Sequence, residues 1–324
     1  MSTSISSIVP YKKICGINFA PFCPSGSFTS KRAKDSLLQM KERTNANLVI
    51  FTTNGLMDTP NSEAIDFSSL ATISDDELKD MIDYAQSLGL MVGLKPTVNC
   101  KNGMWRAHVN FFDEDVPCEP KWCNWFDSYA TFQCHYGEIA QETGCTMLIA
   151  GCEMVMAERR ADEWRQLIAE IRKDYKGPVS YNTDKYQEHN VSWWDCVDFI
   201  SSSGYYPIHD WENQLNRIEP VVKKFDKPFL FAEIGCMSVT GSELVPNDWR
   251  IPPEFNMECQ AAWYQDMFEA CTQRDWVGGW AIWSWTDKLY APNALSTRCD
   301  YEIYNKLSEQ VIHDFYNRYN VEAK

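Results

Sequence analysis

The chain has little basic charge. Thirty Lys and Arg stand against 45 Asp and Glu, a net charge of −15. That balance argues against a nucleic-acid partner and disfavours polyanionic substrates. No long apolar run is present either. Met1 to Lys13 is polar and serine-rich, without the apolar centre of a signal peptide. The first apolar segment, Ile14 to Phe22, is short and interrupted by Gly16 and Asn18. Neither a signal peptide nor a membrane span is therefore expected. Metal-binding spacing is missing too. Of thirteen Cys, the nearest pair, Cys118 and Cys123, lacks C-x-x-C spacing and has no His beside it, so no metal or other cofactor is expected. The thiols are odd in number and scattered through apolar segments, which suggests reduced, buried side chains and a cytoplasmic location. No glycine-rich phosphate loop follows the first apolar segment, which counts against a nucleotide-binding, doubly wound sheet. Ser201 to Ser203 form no nucleophile elbow, and His108 and His189 lie in polar loops without a triad partner.

Two stretches share a design. Residues 228–236 (PFLFAEIGC) and 147–154 (MLIAGCEM) are apolar runs that end abruptly in a carboxylate, Glu233 and Glu153. Such runs suggest strands buried on both faces, as in a parallel sheet. A carboxylate at the exit of a buried strand is costly unless it is paired or used. One such Glu is readily explained by an ion pair; two are hard to explain as packing.

Between and around these stretches the pattern alternates. Strands are expected at Ile14 to Phe22, Asn47 to Asn54, Met91 to Asn99, Met147 to Glu153, Pro178 to Asn182, Val197 to Tyr206, Phe229 to Glu233 and Val277 to Trp285. Helical patterns separate them, with Ser30 as a cap and Ser74 to Glu77 as a capping box. The fifth helix, near Ser192 to Asp195, is weak. The expectation is a single-domain α/β fold, a (β/α)8 TIM barrel over residues 1–324, with 1–13 a disordered or extended lead-in. Every strand of such a barrel opens at its C-terminal end onto one face, so Glu153 and Glu233, 80 residues apart, would meet there. Two facing carboxylates are what glycosidic bond cleavage requires.

Other candidates sit at strand ends. Asn18, Lys95, Asn99 and Asn182 are placed to meet sugar hydroxyls, or simply to cap loops. Tyr205 or Tyr206 would lie beside the seventh strand and its Glu. Trp283 and Trp285, sharing a face of the last strand, are candidate sugar platforms, with core packing the alternative. Glu63, Glu158 and Asp184 have polar flanks and are expected to be solvated. The segments 100–121 and 238–254 are long for barrel connections and carry Trp105, Phe111, Phe112, Trp249 and Phe255 at or near their edges, which suggests cleft walls that favour short substrates.

The segments GINFAPF, GLKPTVN, IAGCEMV, SGYYPI, FLFAEIG and GGWAIWSW, in this order, resemble glycoside hydrolase family 113 of clan A over nearly the whole chain. The resemblance implies a retaining hydrolase of β-1,4-mannosidic bonds in manno-oligosaccharides or mannan. It implies Glu153 as acid/base, Glu233 as nucleophile, a Tyr of the sixth strand beside the nucleophile and a Trp of the eighth beneath the sugar. Many clan members carry Asn before the acid/base; here Cys152 stands there and is a poor donor. That departure suits an axial 2-hydroxyl better than an equatorial one. The alternatives are a xylosidase, xylanase or β-glucanase on the same barrel, or a non-catalytic sugar-binding barrel. Endo or exo action is open.

Overall fold

The computed structural model describes residues 4–319. Its strands are β1 (Ile14–Phe19), β2 (Leu48–Phe51), β3 (Asn54–Met57), β4 (Met91–Leu94), β5 (Thr97–Cys100), β6 (Met147–Cys152), β7 (Val179–Thr183), β8 (Ile200–Gly204), β9 (Phe229–Ile234) and β10 (Val277–Trp285). Eight of them close a barrel in the order β1-β10-β9-β8-β7-β6-β4-β2, all parallel. The helices are α1 (Lys31–Thr44), α2 (Asp75–Ser87), α3 (Trp122–Glu142), α4 (Ala161–Asp174), α5 (Trp211–Phe225), α6 (Met257–Thr272) and α7 (Leu307–Tyr319). The connection between β7 and β8 carries only a 3-10 turn, Trp194–Cys196, where the sequence pattern was weak.

Two expected strands are each broken in two. The run from Asn47 to Asn54 splits into β2 and β3, and that from Met91 to Asn99 into β4 and β5. Pro96, which has no N–H to donate, stands in the second break. Beyond it, β3 and β5 pair with each other as a small parallel sheet apart from the barrel.

The helix starts follow their sequence signals. Ser30 accepts from the Ala33 N–H, and Ser74 and Glu77 form the reciprocal capping box. Glu63, expected to be solvated, instead accepts the Lys121 N–H at 2.6 Å and the Asn124 amide at 2.9 Å. It thus satisfies donors at the start of α3, whose own cap residue supplies no side-chain bond.

A small apolar cluster fills the barrel interior: Ile14, Leu48, Ile50, Met147, Ile149, Leu230 and Ala232 point inward and Phe199 joins them. A larger one packs the outward strand faces against the helices. Residues 4–13 are neither disordered nor extended throughout. Ile5–Ser7 form a 3-10 turn, and Ile5 and Val9 are buried within the interior cluster. An apolar plug hides side chains that a free lead-in would expose. Residues 1–3 of that predicted segment lie outside the described residues.

Above this layer the interior turns polar. Asn18, Lys95, Asn182 and Ser203 are all fully buried. Gly151, just before the carboxylate of β6, has φ +101°, and a Cβ there would overlap the Tyr129 hydroxyl. Gly151→Ala would therefore combine backbone strain with overpacking. It is expected to cost about 3 kcal/mol, read as a lower denaturant midpoint with an unchanged slope.

Candidate active site

Glu153 follows β6 directly. Its N–H still bonds to the Asn182 carbonyl, at 2.8 Å, but its backbone has turned left-handed, with φ +54°. A non-glycine residue held there carries strain that its surroundings must over-determine. They do so with three donors. Ser203 Oγ donates to Oε1 at 2.8 Å, while Trp105 Nε1 and Arg106 Nη2 donate to Oε2 at 3.1 and 3.0 Å. The next residue is held too, since the Met154 N–H donates to the Tyr181 hydroxyl at 2.8 Å.

Glu233, within β9, is 5 % exposed and held differently. Lys95 Nζ reaches Oε2 at 2.7 Å, the Cys152 thiol approaches the same oxygen at 3.5 Å, and the Tyr205 hydroxyl donates to Oε1 at 2.7 Å. Burial alone would raise this carboxyl. The charges of Lys95 and Arg106, with the hydrogen bonds of Lys95 and Tyr205, outweigh it and hold Glu233 below the usual carboxylate range. Burial pushes the Cys152 thiol and the Tyr205 phenol well up, so both stay protonated and can donate.

Both carboxylates line one cavity of about 540 Å³. The Trp283 ring forms part of its wall, with Lys95 Nζ 4.9 Å from the ring centre and the Phe22 ring packed at a tilt 5.7 Å away. Trp105 and Trp249 also line it, the latter 71 % exposed. A cavity of this size with an aromatic wall and a few convergent polar groups suits a short stretch of carbohydrate.

The other strand-end candidates divide. Asn99 lines the cavity and bridges Asn54 and Arg106. Asn182 donates to Ser203 Oγ at 2.9 Å and so braces the hydroxyl that holds Glu153. Asn18 lies deeper, its amide donating to the Ala232 and Ala281 carbonyls at 3.1 Å each. Tyr206 and Trp285 belong elsewhere. Strand alternation turns Tyr206 outward, where its hydroxyl meets Glu188 at 2.6 Å among Trp211 and Phe231. Trp285 should share a face with Trp283, but the register between β1 and β10 slips at Asn18/Phe19. The slip turns Trp285 outward onto Ser36 and Tyr304.

The expected solvation of two acids does not hold. Glu158 is 2 % exposed, accepts from Tyr181 and Thr183, and is pushed up to about 8 by burial. Asp184 is buried at the cavity wall, close to Glu153. Arg159 beside Glu158 is exposed and Lys185 beside Asp184 half-buried, so polar flanks do not reveal that the acids themselves are covered. Of the loop aromatics, Phe111 packs on Trp122, Phe112 projects away from this cavity, and the backbone of Phe255 forms a bridge to Val239. His108 and His189 are exposed.

Arg106 was not singled out in the sequence, and Ser203 was weighed only as part of a nucleophile elbow and set aside. Arg106 sits in a long loop, yet its guanidinium is buried against Glu153, the Cys152 carbonyl and Asn99. Its available signal was adjacency to Trp105 in a loop already suspected of shaping the cleft.

The model of Glycoside Hydrolase Family 113 matches residues 17–306. A solved complex described as a GH113 β-1,4-mannanase is 53% identical, covering 94% of this chain and 99% of its own, with TM-score 0.93. The GH113 β-mannanase AaManA from Alicyclobacillus acidocaldarius, in complex with ManMIm, is 38% identical, covering 94% of this chain and 97% of its own, with TM-score 0.91. No curated protein sequence matches the chain. A family match that runs from within β1 to the last turn before α7 takes in every barrel strand and both carboxylates, and the chain belongs to glycoside hydrolase family 113.

Proposed function

We propose that this glycoside hydrolase cleaves β-1,4-mannosidic bonds with retention, Glu153 serving as acid/base and Glu233 as nucleophile. The carrying observation is the unequal company of two buried carboxylates on one cavity. Glu233, beside Lys95 and Tyr205, is kept ionised, as a nucleophile must be. The surroundings of Glu153 suit proton transfer. Trp105 and Arg106 can only donate to Oε2, whereas the Ser203 hydroxyl at Oε1 can donate to a carboxylate or accept from an acid. Oε1 is thus the oxygen that can carry the proton without losing its partner.

In the first step Glu233 attacks the anomeric carbon of a sugar resting on Trp283. Glu153 gives its proton to the glycosidic oxygen, and the leaving sugar departs. In the second, Glu153 takes a proton from water, which attacks the same carbon and frees Glu233. Two inversions give net retention. A binding-only barrel would have one of these acids misplaced or pinned in an ion pair. Each has a cation beside it, but both still line the cavity.

Mannose is favoured by the relatives, which are described as β-1,4-mannanases at 53% and 38% identity. Arg106, beside Cys152 on the cavity wall, brings strong donors to the side where Cys152 offers a weak one. Comparing rates on manno-, xylo- and gluco-oligosaccharides tests the sugar directly. Thirteen free thiols support a cytoplasmic location.

Glu233→Ala is expected to lower turnover about 10,000-fold or more on every substrate. Glu153→Ala should spare the first step on aryl mannosides, and azide should restore the second as a β-mannosyl azide. Azide rescue of the Glu233 variant with that product would reverse the two roles.

Lys95→Met removes the nearest cation from a carboxyl held low by it. The Glu233 pKa then rises, and the acid limb of the pH profile of kcat/KM moves toward neutral. Initial rates on an aryl mannoside across the acid range measure this; an unmoved limb would dissociate Lys95 from the nucleophile's ionisation.

Trp105 and Trp249 wall the cavity, so kcat/KM should be higher on short manno-oligosaccharides than on polymer. Mannobiose through mannohexaose beside soluble galactomannan, with products resolved over time, checks this. Rapid viscosity loss before reducing ends accumulate would indicate an open endo cleft instead.

A further inference from the structure

Asp184 differs from the other acids around the barrel mouth. Glu153, Glu233, Glu158 and Glu188 are each held by donors from neighbouring strands or helices. Asp184 is the first residue beyond β7. Its carboxylate receives no side-chain hydrogen bond among the described residues; its contacts are Lys185 Nζ at 3.7 Å and the Lys185 backbone N–H. The group is nonetheless 6 % exposed, and what exposure remains is on the wall of the same cavity as Glu153 and Glu233. A buried carboxyl with so few partners is costly unless something else fills its bonding capacity.

Its place in the barrel says which sugar it meets. In strand order β6 stands opposite β10, so Glu153 faces Trp283 across the mouth. Asp184 lies on the neighbouring strand on Glu153's side, two residues past Asn182, whose carbonyl takes the Glu153 N–H. The sugar under attack rests at Trp283 and Glu233. The unit beyond the acid is the one that leaves.

We propose that Asp184 binds the leaving sugar, engaging its hydroxyls from the wall beside Glu153. The assignment rests on Glu153 being the acid/base. Burial first, then the charge of Glu153, pushes the Asp184 carboxyl up to about 8. In mildly acidic solution it is therefore a neutral acid, able to accept from one hydroxyl of a diol and donate to the next. Asn is the nearest neutral mimic of that pattern.

The test compares a sugar leaving group with one that lacks hydroxyls. Asp184→Ala is expected to lower kcat/KM on mannotriose about 10- to 100-fold, the range of one or two hydrogen bonds, and on 4-nitrophenyl β-mannoside by no more than about threefold. Asp184→Asn should recover most of the loss on mannotriose. Asp184→Ser, which shortens the reach but stays polar, is the second variant should Ala fail to fold, and should show the same split. Equal losses on both substrates would mean that Asp184 acts through folding, and a loss on mannotriose accompanied by a moved basic limb of its pH profile would mean that Asp184 acts through Glu153; either would overturn the proposal. So would unchanged rates on both. If the unaltered protein cleaves neither mannoside, the mannosidase reading itself fails and takes this one with it.

Discussion

The ion pair of Lys95 and Glu233 sets the terms for the rest of the barrel mouth. Two full charges lie 2.7 Å apart, with side chains 0 % and 6 % exposed. Desolvation on that scale is repaid only by close contact and by further hydrogen bonds to the remaining lone pairs. The structure supplies them from different strands: Tyr205 after β8, Cys152 from β6, and Lys95 from the end of β4. The ionisation of Glu233 thus depends on closing the barrel, since no two of these donors are near in sequence. A local error in any of three strands would reach the same carboxylate.

Glu153 meets the same constraint with other means. Its left-handed backbone takes it out of regular strand geometry, and Gly151 two residues earlier makes room for Tyr129. The side chain is then fixed from three directions, by Trp105 and Arg106 from a loop and by Ser203 from β8. Loops are ordinarily the mobile part of a barrel. Here the guanidinium ties the loop to the Cys152 carbonyl and to Asn99, so a loop residue acquires the precision of a strand residue.

Much of this was legible. Apolar runs ending in Glu, with helical patterns between them, carry the barrel and both acids because burial on two faces leaves an unmistakable run. Lys95, Tyr205 and Trp283 were legible as strand-end residues. What could not be read depends on register and on distant chain. Trp285 shares parity with Trp283, and only a slip between β1 and β10 separates them. Tyr205 and Tyr206 are chemically alike, and alternation alone does not say which points inward. Arg106 and the burial of Asp184 and Glu158 are tertiary facts; a polar neighbour in sequence does not tell what distant parts of the chain cover the residue beside it.

The two acids also divide the chemistry by the kind of donor each receives. In the roles proposed above, the nucleophile must be anionic when substrate arrives, and a permanent cation with a phenol and a thiol that stay protonated favours that state throughout. An acid/base must exist in two states within one turnover, so donors that can only donate on both oxygens would oppose one of them. At Glu153 they are confined to Oε2, and Oε1 meets a hydroxyl that reverses its role. Asn182 then matters through Ser203. Its amide donates to the hydroxyl oxygen at 2.9 Å and anchors it in either state, leaving only the hydroxyl proton to turn. In the proposed roles, small differences among the polar side chains set the order of proton transfer, on a scaffold whose strands treat both carboxylates alike.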